Sequence, residues 1–280
     1  MINAFSVDLE YWWCNEFLTN YLPNRKEDQI IESLSPILKL LDKYNVRATF
    51  FVLGIVAEKH PDVIELIYNK GHEISSHAWS HKPLHKLNKN EFENEMDKSV
   101  KLLYKLIHEK PKGFRAPSFS LNNNTKWALN ILEKHGFYYD SSIFPIRTIL
   151  YGVPNAPLHP YRISKDNVSI EDPKSPILEA PLTVYKIFGL NIPIAGGFYL
   201  RLIPFDILKL MLRKVNKSMP AIMYIHPWET YPKTPRLNIP LEYRFITYYG
   251  INFALKKVEG LLKEFRFKPI EEVLDSLCTK

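Results

Sequence analysis

The chain has 280 residues, of which 46% are hydrophobic and 24% charged, a composition typical of a soluble protein that can bury a large core. Its net charge is +7 with a pI near 9.1, but Lys and Arg are scattered among acidic residues without a basic run. Nucleic-acid binding is therefore not favoured, whereas attraction to anionic substrates or to a membrane surface stays open. Cys14 and Cys278 are too few for a disulfide framework and favour a reducing compartment.

The N-terminus indicates a cytoplasmic protein. The opening "MINAFSVDLEYWW" lacks a charged segment followed by an apolar one, because Asp8 and Glu10 interrupt its apolar residues. No window approaches the roughly 18 apolar residues that a membrane span requires. Any membrane contact is therefore expected to be peripheral and on the cytoplasmic side. The oligomeric state is not indicated by the sequence.

The first half of the chain alternates short β-rich runs with helical patterns. Strands are predicted in "NAFSVDL", "RATFFVL" and "HEIS". A helix is predicted to begin with Ser35 as N-cap and Pro36 at its first position, and a second lies between Pro61 and Gly71. A third helix fits residues 89–108. This alternation favours βα units around a parallel sheet.

The second half continues this pattern after one interruption. Strands are predicted in "KGFRAP", "FYYDSS" and "PAIMYIH", with helices in "NTKWALNILEKHG" and around residues 250–265. Six prolines between residues 145 and 176 exclude a long helix there. We therefore predict one domain over residues 1–280, with an insertion or lid region at 145–200 and an extended loop at 229–249.

Polar residues end five of the apolar runs. In βα barrels the C-terminal ends of the strands form one rim, where catalytic groups collect. Each residue taken singly has an ordinary structural explanation, such as a turn cap or a surface ion pair. Taken together they supply the ligands, base and acid that a metal-assisted hydrolase needs. These residues are Asp8, Glu10, His77, His81, Arg115, Asp140 and His226.

Two histidines stand four residues apart in "SSHAWSH". His77 and His81 can converge on one metal ion if the backbone is helical there, because residues four apart share a helix face. The spacing alone does not establish a metal site, so further ligands are needed from elsewhere in the chain.

At these positions the chain resembles the polysaccharide deacetylases of the NodB-homology type, carbohydrate esterase family 4. The resemblance extends over nearly the whole chain and is closest to a branch with a "VDxE" opening associated with exopolysaccharide gene clusters. It implies an α/β fold, an irregular TIM-like (β/α) barrel of about seven parallel strands with long rim loops. The motifs, in family order, are "SVDLE", "RATFFVLG", "GHEISSHAWSH", "FRAPSFS", "YDSSIFP", "GGFYLRLIP" and "YIHPWE".

The resemblance also implies roles for individual residues. Asp8 matches the catalytic base, and His77 and His81 match the two metal-binding histidines. Arg115 matches the arginine that orients the base carboxylate, a task suited to a bidentate guanidinium. His226 matches the general acid that protonates the leaving amine. The motif that shapes the substrate groove and supports its neighbours contains Asp140 and Ser141.

The opening motif departs from the commoner family pattern, which has adjacent aspartates. Here Asp8 and Glu10 are separated by Leu9, and residues i and i+2 of a strand share a face. We therefore predict Glu10 as the third metal ligand and Asp8 as the base. The reverse assignment, with Asp8 on the metal, stays open, as does loss of a tight metal site.

Two histidines and a carboxylate suit Zn²⁺, although other divalent ions fit the same ligand types. Aromatic faces suit the apolar side of a sugar ring, so Trp79, Trp228 and Tyr199 are candidate substrate contacts. Arg201, in "GGFYLRLIP", is a further candidate. The predicted partner is an N-acetylated saccharide, either a polymer, a lipid-linked unit or a precursor.

Two other functions are compatible with the same residues. Relatives of this family open cyclic amides such as allantoin, and the fold alone does not separate that reaction from deacetylation. A catalytically silent carbohydrate-binding barrel is the second alternative, and the joint presence of Asp8, His77, His81, Arg115 and His226 argues against it.

Overall fold

The computed structural model describes residues 1–148 and 150–278. Ile149, inside the predicted insertion, and residues 279–280, inside the predicted domain, lie outside the described residues. The strands are β1 (Ile2–Leu9), β2 (Thr49–Val52), β3 (Glu73–Ser76), β4 (Gly113–Phe114), β5 (Tyr139–Asp140), β6 (Tyr161–Arg162), β7 (Leu178–Glu179), β8 (Val184–Ile187), β9 (Leu190–Pro193), β10 (Ile222–Ile225) and β11 (Arg266–Lys268).

The helices alternate with the strands over most of the chain. They are α1 (Ile30–Lys43), α2 (Gly54–Lys59), α3 (Pro61–Asn69), α4 (Lys89–Ile107), α5 (Ala128–Lys134), α6 (Gly197–Leu202), α7 (Phe205–Val215), α8 (Leu241–Tyr248), α9 (Ile251–Glu264) and α10 (Ile270–Cys278). Within the described residues, no helix combines the length and apolar character needed to cross a membrane.

A curled, mostly parallel sheet organises the fold. Its parallel strands run in the order β10, β1, β2, β3, β4, β5 and β7, and β6 pairs antiparallel with β7. Backbone contacts of Thr183 with Ile222 and of Gly196 with Tyr224 join the two edges. The α/β class and the parallel sheet of an irregular barrel, predicted from the sequence, are confirmed.

The central strand β1 has two buried faces with different partners. Phe5, Val7 and Leu9 pack outward in the cluster that α1, α3 and α7 also enter. Ala4 packs inside, in a cluster that α10 closes with Ile270. Because side chains of a strand alternate between its faces, Asp8 lies on the same inner face as Ala4, near the C-terminal end of the strand.

Helix α1 begins six residues earlier than predicted, at Ile30 and not at Pro36. The side chain of Asp28 accepts a hydrogen bond from the backbone N–H of Ile30, and the Gln29 carbonyl accepts one from Ser33. These contacts close the first turn before Ser35, so the prediction of Ser35 as N-cap was wrong. Pro36 instead lies inside the helix, where it removes one backbone donor.

Other predicted elements agree closely with the structure. The helices expected at 89–108 and 250–265 are α4 and α9, and Pro61 begins α3 as expected. The prediction of an extended loop over 229–249 was wrong for its second half, because α8 begins after Pro240. Within the predicted insertion at 145–200, β7 joins the parallel sheet, and β8 and β9 form a separate hairpin.

Gly196 lies where the backbone closes the curled sheet. A Cβ atom at this position would stand 1.7 Å from the carbonyl oxygen of Tyr224, a backbone atom that cannot move alone. We expect Gly196→Ala to lower the free energy of unfolding by about 3 kcal/mol or more, through overpacking. Denaturant unfolding measures this loss. Gly136→Ala is the control, since its Cβ would meet nothing within 4 Å; an equal loss there would contradict the close-approach argument.

Candidate active site

A cleft opens at the C-terminal ends of the parallel strands, with a cavity volume of about 110 Å³. Of the seven residues predicted at the rim, five line the cleft: Asp8, Glu10, His77, His81 and His226. Asn15, Glu16 and Phe17 contribute to the wall from the segment after β1, and Tyr151 contributes from the predicted insertion.

Glu10, His77 and His81 form the metal-compatible group of the described residues, with ligand atoms all within 4.8 Å of one another. Oε2 of Glu10 lies 2.6 Å from Nε2 of His81 and 3.6 Å from Nε2 of His77. This oxygen is buried, and none of the described residues donates a hydrogen bond to it. Although burial opposes ionisation, His81 and His226 hold the pKa of Glu10 well below its ordinary value. A buried, charged oxygen without a donor fits a cation.

The two histidines converge without a helix. The backbone from His77 to His81 is a loop in which Ala78 and His81 have φ angles of 61° and 63°. The two histidines were expected to converge if the backbone between them were helical, and it is not. The left-handed residues Ala78 and His81 turn the chain instead. Nδ1 of His77 lies 2.7 Å from the carbonyl oxygen of Arg115, to which it donates. In the tautomer that this contact favours, the ring proton is on Nδ1. Nε2 is then free to bind a metal ion.

Asp8 is held by a fully buried arginine. Nη1 of Arg115 donates to Oδ1 of Asp8 at 2.6 Å and to Oγ of Ser6 at 2.9 Å. The remaining donors go to Ser141, through its hydroxyl and its carbonyl, both at 2.8 Å. Contact with Asp8 is thus through one nitrogen, not the bidentate fork expected from sequence, because Ser141 occupies the other side of the guanidinium.

Asp140 and Ser141 lie beneath the cleft and are fully buried. Asp140 accepts hydrogen bonds from the hydroxyl and the N–H of Ser142. Burial and the neighbouring Asp140 raise the pKa of Glu179 well above its ordinary value, which favours the uncharged form of this second carboxyl. Among the described residues that line the cleft, Asp140 and Ser141 are absent. Their position does not suit the predicted contact with substrate, but it suits support of Arg115.

His226 is part of a buried chain of charged groups. Its Nδ1 lies 2.6 Å from Oε2 of Glu229, and Oε1 of Glu229 accepts from Arg201 at 2.9 Å. Nε2 points toward Asp8 and Glu10, at 3.7 Å from an oxygen of each. Burial disfavours the charged ring, but Glu10, Glu229 and Asp8 outweigh it and raise the pKa of His226 to about 9. The three carboxylates around the ring therefore favour its protonated form.

Arg201 was predicted to reach the substrate, and the structure gives its guanidinium other partners. Besides Glu229, it donates to the carbonyl oxygens of Ile246, Thr247 and Tyr249. The side chain is buried although it borders the cleft. Both of its terminal nitrogens, Nη1 and Nη2, donate within the protein, so its position suits holding Glu229 in place.

The three predicted aromatic contacts have different locations. Trp228 lines the cleft, where its indole N–H donates to Oε1 of Glu10 at 3.0 Å and its ring lies parallel to His226. Trp79 packs against Gly54 at the start of α2. Tyr199 packs edge-on against Phe144. Among the described residues, neither Trp79 nor Tyr199 lines the cleft.

Glu229 was missed by the sequence analysis as a site residue. It stands three residues after His226 in "HPWE", within a quoted motif, and this spacing was the available signal. The 3-10 turn Pro227–Thr230 brings its carboxylate back to His226. Tyr151 was missed too, because nothing in the proline-rich segment showed which residues turn toward the cleft.

Two family models divide the chain. Residues 28–139, with His77, His81 and Arg115, match the polysaccharide deacetylase family. Residues 141–275, with His226 and Glu229, match a domain of unknown function, DUF3473.

The curated relatives and solved structures extend this result. A peptidoglycan-N-acetylglucosamine deacetylase of Bacillus cereus is 41% identical over 99 residues, which are 35% of this chain and 36% of the relative. The chain thus spans about a third of the length of such relatives.

Two crystal structures share the fold. The Bc1960 peptidoglycan N-acetylglucosamine deacetylase has a TM-score of 0.51 and 21% identity, over 97% of this chain and 87% of the other. The PuuE allantoinase has a TM-score of 0.61 and 17% identity, over 97% and 88%. The family match over residues 28–139 shows that this part of the chain is a polysaccharide deacetylase domain of the NodB-homology type, carbohydrate esterase family 4.

Proposed function

We propose that this protein is a metal-dependent hydrolase that removes the N-acetyl group from a sugar of a surface polysaccharide or its precursor and releases acetate. One observation carries the proposal. A single cleft brings together the Glu10, His77 and His81 group, the Asp8 carboxylate held by Arg115, and the His226 ring paired with Glu229. These groups supply a cation site, a base and an acid, which amide hydrolysis requires.

Glu10, His77 and His81 would hold the metal, and the buried free oxygen of Glu10 is the observation that fits them to it. We propose Zn²⁺, since two imidazoles and one carboxylate are common ligands of catalytic zinc. When bound, zinc polarises a carbonyl group and lowers the pKa of water from its bulk value to roughly 7. Asp8 is not a member of this group, which supports Glu10 as the carboxylate ligand.

Asp8 and His226 would carry the two proton transfers. Asp8 accepts a proton from the water that attacks the acetamide carbon, and Arg115 keeps its carboxylate oriented for this step. His226 donates a proton from Nε2 to the sugar nitrogen as the C–N bond breaks. The products are acetate and a free amine. Glu229, on the other ring nitrogen, fixes the direction in which His226 donates.

The proposed substrate class follows from the named relatives. The Bacillus cereus relative acts on peptidoglycan N-acetylglucosamine by its name, which supports an N-acetylated hexosamine for this cleft. We propose a cytoplasmic location, which the free Cys14 and Cys278 support. We propose a biosynthetic precursor of an exopolysaccharide as the substrate, because the "VDxE" opening resembles that of the branch associated with exopolysaccharide gene clusters.

Acetate release tests the proposal directly. We expect the purified, zinc-loaded protein to release acetate from N-acetylglucosamine oligomers, to lose this activity with a chelator, and to regain it with added Zn²⁺. Allantoin is the comparison substrate, because the PuuE allantoinase shares the fold. Ring opening of allantoin without acetate release would favour that alternative. Absence of hydrolysis by the metal-loaded protein on both substrates would favour a silent carbohydrate-binding barrel.

A further inference from the structure

The net positive charge of the chain is confined to one segment. Residues 184–264 carry 12 Lys and Arg against 5 Asp and Glu, a net charge of +7, whereas the rest carries 25 of each. The segment comprises the β8 to β9 hairpin, α6 to α9 and strand β10. Lys186, Lys217 and Lys256 are exposed on it.

Large apolar side chains are exposed on the same elements. Ile207 and Leu210 project from α7, whose opposite face is buried through Leu208 and Leu212. On α9, Phe253 is 67% exposed. We call this combination of exposed lysines and apolar side chains on residues 184–264 the basic apolar face. Its mixed character differs from an ordinary solvated surface, where large apolar side chains stand singly.

The elements of the basic apolar face pack against one another. Nζ of Lys214 on α7 lies 3.2 Å from the hydroxyl of Tyr185 on β8. The ring of Phe205 on α7 covers Gly260 of α9. Lys257 of α9 donates to the carbonyl oxygens of Leu200 and Ile203, at the end of α6. The hairpin and the three helices therefore form one continuous side of the molecule.

The tip of the hairpin exposes two large apolar side chains to solvent. Phe188 and Gly189 form the two-residue turn between Ile187 and Leu190, with φ angles of 49° and 80°. Such turns favour Asn-Gly, because both positions require positive φ. Here the first is Phe188, 97% exposed, and the flanking Leu190 is 69% exposed. An apolar environment outside the protein would compensate for the exposure of these two side chains.

We propose that the basic apolar face docks the protein on an anionic lipid bilayer, with Phe188 and Leu190 inserted among the headgroups and lysines over the lipid phosphates. Charge complementarity favours this occupant, because each lysine near an anionic membrane attracts it and apolar side chains add burial. A nucleic acid would use the lysines and leave the hairpin tip in water. A second copy of the chain would bring together two surfaces of the same positive sign.

The face also reaches the rim of the cleft. Phe198 lines the cleft, and its ring lies 5.7 Å from that of Phe245, which is exposed on α8. A docked protein would therefore hold the cleft beside the headgroup layer. If the proposed deacetylase function is correct, on which this step alone rests, the substrate is a saccharide carried at the membrane surface.

Vesicle sedimentation tests the docking. The probes are vesicles of phosphatidylglycerol and phosphatidylcholine in equal parts, and vesicles of phosphatidylcholine alone. We expect the full chain to sediment with the anionic vesicles, much less with the neutral ones, and less again as salt rises. Phe188→Ser with Leu190→Ser should weaken partitioning on the order of tenfold or more. Lys186→Glu, Lys217→Glu and Lys256→Glu together should weaken it on a similar scale.

Matched controls lie outside the face. Leu66 and Tyr104 are exposed apolar residues on α3 and α4, and Lys39 and Lys105 are exposed lysines on α1 and α4. Their substitution with Ser and Glu should leave partitioning unchanged. Equal losses in these controls, or no sedimentation of the wild type, would overturn the proposal. Self-association abolished by the hairpin variant, without vesicle binding, would assign the face to a second copy.

The metal-site variant His77→Ala separates docking from catalysis. It should sediment like the wild type even if it releases no acetate, because His77 lies in the cleft and outside the basic apolar face. A protein that docks but never deacetylates would overturn only the proposed function. A protein that deacetylates soluble oligomers but never docks would overturn only the membrane proposal.

Discussion

Glu10→Gln is expected to lower the affinity of the cleft for Zn²⁺ by roughly 10²-fold or more, whereas Asp8→Asn should lower kcat by roughly 10²- to 10⁴-fold with metal content unchanged. The two carboxylates lie on one strand end but have different partners. Glu10 directs a buried free oxygen at His77 and His81, while Asp8 is held by Arg115. Substitution of residues that hydrogen-bond to metal ligands typically lowers metal affinity by roughly 10- to 100-fold. Loss of a ligand itself should lower it at least as much.

Metal analysis after dialysis and steady-state acetate release measure the two effects separately. Glu16→Gln is the matched control, because Glu16 also lines the cleft but bonds to Ser118 and Lys86. It should retain the metal. Metal loss in Asp8→Asn together with metal retention in Glu10→Gln would reverse the assignment of base and ligand.

Much of the cleft was predictable from the alternation of strands and helices. Parallel strands present their C-terminal ends on one side of a barrel, so polar residues ending separate apolar runs are expected to meet. Asp8, His77 and His226 are distant in sequence, yet this rule alone brings them to one rim, as the structure shows. The family resemblance then supplied their individual roles.

The local geometry was less predictable, because it depends on contacts between distant segments. His77 and His81 converge through left-handed loop residues, which an i, i+4 spacing does not reveal. Arg201 donates to Glu229, which lies 28 positions further along the chain, and its carbonyl partners lie more than 40 positions away. Helix α1 begins early because of Asp28, a single side chain that outweighs the Ser-Pro signal. Buried hydrogen-bond partners of this kind are set by tertiary packing, which periodicity does not encode.

Glu229→Gln is expected to lower kcat by roughly 10²-fold while KM changes little, because Glu229 is buried and both of its oxygens are bonded within the protein, to His226 and Arg201. The carboxylate accepts from Nδ1 and its negative charge favours the protonated ring. Burial opposes the charge of Glu229 itself, but His226 and Arg201 lower its pKa, so it is ionised. The amide keeps the shape of the side chain, but it lacks that charge and has one oxygen, so it cannot accept from both His226 and Arg201. His226 would then be a weaker donor to the departing amine.

Glu179→Gln is the matched control for this effect. Glu179 is also a buried glutamate of the barrel, but its pKa is raised well above its ordinary value, which favours the uncharged form that Gln mimics. We expect near wild-type kcat in Glu179→Gln and comparable unfolding midpoints in both variants. Equal losses of kcat in the two would assign Glu229 a packing role only. A fall confined to Glu229→Gln, with zinc content and unfolding midpoint intact, would assign Glu229 a role through His226, since Glu229 is 4% exposed and its two oxygens are bonded to His226 and Arg201.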